Sequence, residues 1–189
     1  ETAEAILRRI AAMKFSVRIS LALAALLLPL AASAATFIVN SAADDPDTDV
    51  FDNVCKTASN VCTLRAALQQ ANQLSGPDAI QFNFGGAATT ISPASPLPII
   101  TSTVYIDGYS NGSGTANTLT SGDNATLKVR IDGTNAGIGT SGLGFGPGSS
   151  GSVVRGLILT SFRAHGISVV GALNSTVDNI TVAGNFIGT

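Results

Sequence analysis

The chain has 189 residues, ten Lys or Arg against twelve Asp or Glu, and a mean hydropathy of +0.37. A formal net charge of −2 without a basic cluster argues against nucleic acid or an anionic membrane surface as partner. Val, Ile, Leu and Phe recur throughout, which excludes a disordered chain, and 20 Gly with no Trp suits a turn-rich β protein.

Residues 1–12 precede the only methionine, Met13, and read as upstream translation. Residues 13–34 read as a secretory signal. Lys14 and Arg18 lead into the apolar run Leu21 to Leu30, and Ala32-Ser33-Ala34 is a small-residue cleavage site. The run is short for a bilayer span, so cleavage after Ala34 is expected, with no membrane span afterwards. The product is then expected in the periplasm, secreted, or at the cell surface. Without the leader the chain keeps six Lys or Arg and ten Asp.

Residues 35–78 read as an N-terminal cap module. Thr36-Phe37-Ile38-Val39-Asn40 alternates as a short strand. An acidic loop follows, in which Asp45, Asp47 and Asp49 alternate as at the start of a calcium loop. Val50 and Lys56 stand where such a loop needs glycine and glutamate, so a solvated turn is expected, with calcium in another geometry as the alternative. No cofactor is otherwise expected. Cys55 and Cys62 are the only cysteines. In an exported chain they read as a disulfide, since six intervening residues match no zinc pattern. Directly behind them Leu64, Ala67, Leu68 and Ala71 recur at helical spacing, with Thr63 as N-cap and Gly76-Pro77 as the stop after Leu74.

Residues 79–189 carry short signatures at one period. Ile106-Asp107-Gly108 returns as Ile131-Asp132-Gly133, then as Val154-Arg155-Gly156 and Val177-Asp178-Asn179. Gly142-Leu143-Gly144-Phe145 returns as Gly166-Ile167-Ser168-Val169, and Phe162 precedes Phe186 by the same step. A period of about 23–25 residues with glycine-rich turns predicts an all-β fold, a right-handed parallel β-helix. The cap helix would cover its first rung, and the last rung would be cut short at Thr189. On that reading Ile106, Ile131 and Val154 stack inside, and Asp107, Asp132, Arg155 and Asp178 stack along one outer edge.

Cys62-Thr63-Leu64-Arg65-Ala66-Ala67, followed by Ala71-Asn72 and preceded by Phe37-Ile38-Val39-Asn40-Ser41, resembles the CSLREA-motif module of bacterial exported proteins. The Ile-Asp-Gly segments and Asn185-Phe186-Ile187-Gly188-Thr189 resemble the pectin-lyase-like β-helix that follows it in that family. Thr63 replaces the family's Ser, and Ala66 removes a helix carboxylate. The resemblance implies a secreted or surface protein and no agreed activity.

No catalytic set is legible. His165 is the only histidine and reads as an exposed turn residue. Two functions are carried forward. The first is a structural or adhesive surface protein whose partners are surface glycans or other cell-surface components, in an oligomeric state the sequence leaves open. The alternative is a polysaccharide lyase or glycoside hydrolase, in which the Asp107, Asp132, Arg155 and Asp178 edge would hold ligand or ion.

Overall fold

Alternation of apolar and polar residues buries one row of each strand and exposes the other, and this organises the described part of the chain. A computed structural model describes residues 3–5, 8 and 34–188. The expected leader therefore lies outside the described residues except for Ala34. Near the N-terminus Glu4 and Arg8 form an exposed ion pair at 3.2 Å. Ala32–Thr189 forms a separate unit.

The described strands are β1 (Thr36–Val39), β2 (Asp78–Phe82), β3 (Thr89–Ile91), β4 (Val104–Asp107), β5 (Val129–Asp132) and β6 (Leu143–Phe145). They continue with β7 (Val153–Arg155), β8 (Leu157–Thr160), β9 (Ile167–Val169), β10 (Thr181–Ala183) and β11 (Phe186–Ile187). Helix α1 spans Leu64–Ala71. All paired strands run parallel, in a five-stranded sheet β1-β2-β4-β7-β10, a four-stranded sheet β11-β8-β5-β3 and a two-stranded sheet β6-β9. From β4 onward the chain visits the five-, four- and two-stranded sheets in turn.

Phe37, Ile80, Ile106 and Val154 face one another across the five-stranded sheet and are buried. Ile91, Ile131 and Leu159 do the same in the four-stranded sheet. Each such side chain, fully withdrawn from water, contributes about 1.5–3 kcal/mol. Leu64, Ala67, Leu68 and Ala71 of α1 belong to the same core, with α1 lying against β1 and β2. The helix ends at Ala71, three residues before the expected Leu74, and residues up to Leu74 continue as tighter turns.

The expected all-β right-handed parallel β-helix is corrected. The strands form three separate open parallel sheets with an α-helix built into the core, a mixed parallel arrangement without a uniform rung. Pairing follows other spacings. Thr36 faces Ala79, Tyr105 faces Val153 and Val129 faces Leu157, and only Leu143 facing Ile167 keeps the expected step. Ile106 lies beside Val154, whereas Ile131 belongs to a different sheet beside Leu159. Phe186 faces Ile158, not Phe162. The physical reason is that Ile-Asp-Gly is a local signature. In both β4 and β5 the Asp ends the strand and its carboxylate caps a following 3-10 turn, by accepting from Tyr109 N or Thr134 N. The period thus measured the distance between like strand ends, and it did not specify which strands pair.

Candidate functional site

Thr63, Arg65 and Asn72 help to fasten α1. Thr63 caps it, its hydroxyl accepting from Ala66 N at 3.1 Å and donating to the Asp45 carbonyl at 2.7 Å. Arg65 reaches back to Asp44 with Nη2–Oδ2 at 2.8 Å and forward to the carbonyls of Pro96 and Ser95 at 2.9 and 3.0 Å. Asn72 imitates a strand partner, donating to the Ile99 carbonyl at 2.7 Å and accepting from Thr101 N at 2.8 Å. Cys55 and Cys62 are joined in a disulfide in front of the helix, with Cα atoms 5.2 Å apart. In the chain-entropy account that ring contributes about 2.5 kcal/mol.

The outer face of the five-stranded sheet carries the most chemistry. Its register aligns Ile38, Gln81, Asp107, Arg155 and Ala183 in one row. Arg155 grips Asp107 with both prongs, Nε–Oδ1 at 3.1 Å and Nη2–Oδ2 at 2.9 Å. Its guanidinium lies 5.0 Å from the ring centre of Tyr105 and 5.9 Å from that of Tyr109, the only two tyrosines of the chain. Such stacking holds a cation in place by the ring's quadrupole. Tyr109 also donates its hydroxyl to the Gly184 carbonyl at 2.9 Å. Gly156 adopts a φ of +72°, and a Cβ there would meet the Tyr109 ring at 2.7 Å, so glycine is required for this approach.

The Asp107 hydrogen bond pushes Arg155 still further up, and burial raises the Tyr109 phenol. Both keep their protons at neutral pH. The face therefore offers a fixed cation, hydrogen-bond donors and ring surface, which suits holding a polar ligand better than moving a proton. At the Ile38–Gln81 end of the row an open groove of about 560 Å³ is lined also by Asn83, Gly86, Ser110 and Asn111.

Of the four residues expected on one edge, the fold brings together only Asp107 and Arg155. Asp132 lies in the four-stranded sheet opposite Thr160. Hydrogen bonds from Thr134 N and Oγ1 hold its carboxyl below the usual range. Asp178 lies outside the strands, accepting from Thr176 Oγ1 at 2.8 Å. Asp45 contributes its carbonyl to the Thr63 hydroxyl. Asp47 and Asp49 accept backbone N–H groups two residues on, from Asp49 and Phe51. His165 Nδ1 stands 3.5 Å from Ser141 Oγ at an exposed turn.

Sequence reasoning passed over Asp44, Gln70, Asp78, Tyr105 and Tyr109. Only the tyrosines carried a signal: both flank the Ile106-Asp107 strand end at alternate positions, where an aromatic beside a charge is notable in a chain with two tyrosines. Comparison with known proteins finds no matching family model, no similar curated protein and no similar solved structure.

Proposed function

We propose that the chain is exported, cut after Ala34, and serves at the cell surface as a structural or adhesive element. Its contact surface for glycans or other cell-surface components is the outer face of the five-stranded sheet.

The observation that carries the export half of this reading is the setting of Asp78. Its carboxylate is fully buried, accepts from Ala35 N at 2.8 Å through Oδ1, and leaves Oδ2 buried without a partner. Burial pushes this carboxyl up, against the Ala35 hydrogen bond that lowers it. A buried carboxylate satisfied on one side only is costly. Cleavage after Ala34 turns the Ala35 amide, with its single hydrogen, into an ammonium with three, at hydrogen-bond distance. The same nitrogen then supplies a countercharge and further hydrogens beside the carboxylate. This setting supports the reading in which the chain begins at Ala35.

The Arg155–Asp107–tyrosine row supports the binding half of the reading, because its charges are already paired and its rings already positioned. The half-exposed Arg155, on the same row of the sheet as an amide-lined groove at its other end, also favours a second reading, a polysaccharide lyase or glycoside hydrolase.

Intact-mass measurement on exported material tests the first part, with a chain starting at Ala35 expected. A retained leader overturns it. Incubation with surface glycans and with uronic-acid polymers tests the second, with binding and no cleavage expected. Release of shortened products assigns the enzyme reading instead.

A further inference from the structure

We infer that the acidic loop and Gln70 of α1 together form a calcium site. Gln70 is fully buried, and its side chain points into the loop. Four oxygens converge on its amide nitrogen: Asp49 O at 2.7 Å, Asp52 Oδ1 at 3.1 Å, Asp47 Oδ1 at 3.2 Å and Val54 O at 3.2 Å. An amide nitrogen has two hydrogens for these four oxygens, of which Asp47 Oδ1 and Asp52 Oδ1 also accept from Asp49 N and Val54 N at 2.8 Å. The other end of the same amide, Gln70 Oε1, is buried without a partner.

These two facts have one common resolution. The two ends of a Gln amide are close to interchangeable in shape, and their assignment follows from the surrounding network. Turned over, the amide presents Oε1 to the four loop oxygens. Five oxygens facing one another repel unless a cation stands among them. With the ion in place they close on it at about 2.3–2.6 Å, and water completes the six to eight ligands calcium takes.

The donor set selects the metal. All five donors are hard oxygens, two from carboxylates, two from backbone carbonyls and one from an amide, which suits calcium and offers nothing to softer ions. Five protein ligands on an irregular loop fit calcium better than magnesium, which demands a near-ideal octahedron and keeps its own water. Among the described residues no three His, Cys, Asp or Glu side chains gather for a metal, because here the backbone and Gln70 supply most of the shell. The site is distinct from the alternation of Asp45, Asp47 and Asp49: it takes Asp47 and Asp52 as side-chain ligands and Asp49 through its carbonyl. Its ion would tie the acidic loop to α1 beside the disulfide, one residue beyond Val54.

The mature chain stripped with EDTA is melted with and without about 10 mM calcium, with magnesium as control, and calcium is titrated by calorimetry. A site with a dissociation constant of about 10⁻⁴–10⁻³ M raises Tm by about 3–10 °C under these conditions. Asp52→Asn, at an exposed position, is expected to remove most of that shift while leaving the EDTA melt nearly unchanged. Gln70→Glu is expected to melt lower than wild type in EDTA and to gain a larger calcium shift. A wild-type melt that moves no more in calcium than in magnesium, with no calorimetric binding, overturns the site. So does a full calcium shift retained by Asp52→Asn, or a Gln70→Glu loss that calcium leaves unrepaired while wild type shows no shift.

Discussion

Arg65 and Asp44 form a two-pronged ion pair, Nε–Oδ1 at 3.0 Å and Nη2–Oδ2 at 2.8 Å, with side chains 12% and 16% exposed. The pair does more than join two residues. Asp44 Oδ2 also accepts from Ala94 N at 2.9 Å, and Arg65 donates to the Pro96 and Ser95 carbonyls. One guanidinium thus fastens the acidic loop, α1 and the segment after β3. Removing one partner of so covered a pair leaves the other charge uncompensated, at a cost of about 3–5 kcal/mol. Arg65→Ala is expected to lower the urea midpoint accordingly. Arg65→Lys, which keeps charge but loses the planar fork, should recover only part of it.

Leu68 is buried to 1% exposure on the face of α1 that meets β1 and β2. Leu68→Ala is expected to cost about 2–5 kcal/mol, the range for an aliphatic side chain cut back to Ala in a core. Leu68→Asp places a charge there and should expose the core beneath α1, seen as higher oligomers on a sizing column. A monomer as stable as wild type would show that the helix is dispensable to the core.

The Cys55–Cys62 bond closes a short ring around the turn at Asn60, whose φ is +58°. Reduction, or Cys55→Ser with Cys62→Ser, is expected to lower stability by about 2.5 kcal/mol, mainly by freeing the unfolded chain. Matched urea melts of oxidised and reduced protein measure it.

Asp78 makes stability depend on pH in a way that reports its partner. With the Ala35 amide in place, burial raises Asp78 above its unfolded value of about 3.9. The fold then binds a proton the unfolded chain releases. Stability is fully present below the unfolded value and falls as pH rises through the raised one. In a form that keeps an N-terminal extension, Asp78→Asn should therefore flatten that fall. In a form that begins at Ala35, as proposed, that residue would carry an ammonium, and Asp78→Asn should instead lower Tm near neutral pH. Thermal melts between pH 3 and 8 on both forms distinguish the two behaviours.

Arg155 is more exposed than Arg65, with 43% of its side chain in solvent. Arg155→Ala leaves the Asp107 carboxylate, whose side chain is only 11% exposed, without its countercharge, so a loss of about 1–3 kcal/mol is expected. On the proposed reading it should also abolish binding of surface glycans, because the cation is lost and the two tyrosine rings lose the group stacked on them. Arg155→Lys should restore little of that binding.

Local features of the chain were legible in residue order alone. Helix α1, its Thr63 cap and the Cys55–Cys62 pairing each rest on contacts between residues within a few positions, so spacing and side-chain type determined them. The alternation in Phe37-Ile38-Val39 and Ile80-Gln81-Phe82 named the buried row of each strand for the same reason. Strand partners were another matter. Ile106-Asp107-Gly108 and Ile131-Asp132-Gly133 are nearly the same local instruction, a strand ended by an Asp-capped turn, yet they lie in different sheets. Loop length and closure of the shared core decide between such candidates, and neither is encoded in a short motif. The same long-range closure set Arg155 against Asp107 and left Asp132 to its own turn. It also aimed Gln70 at a loop about twenty residues earlier and brought Ala35 to Asp78, contacts whose partners have no spacing in common.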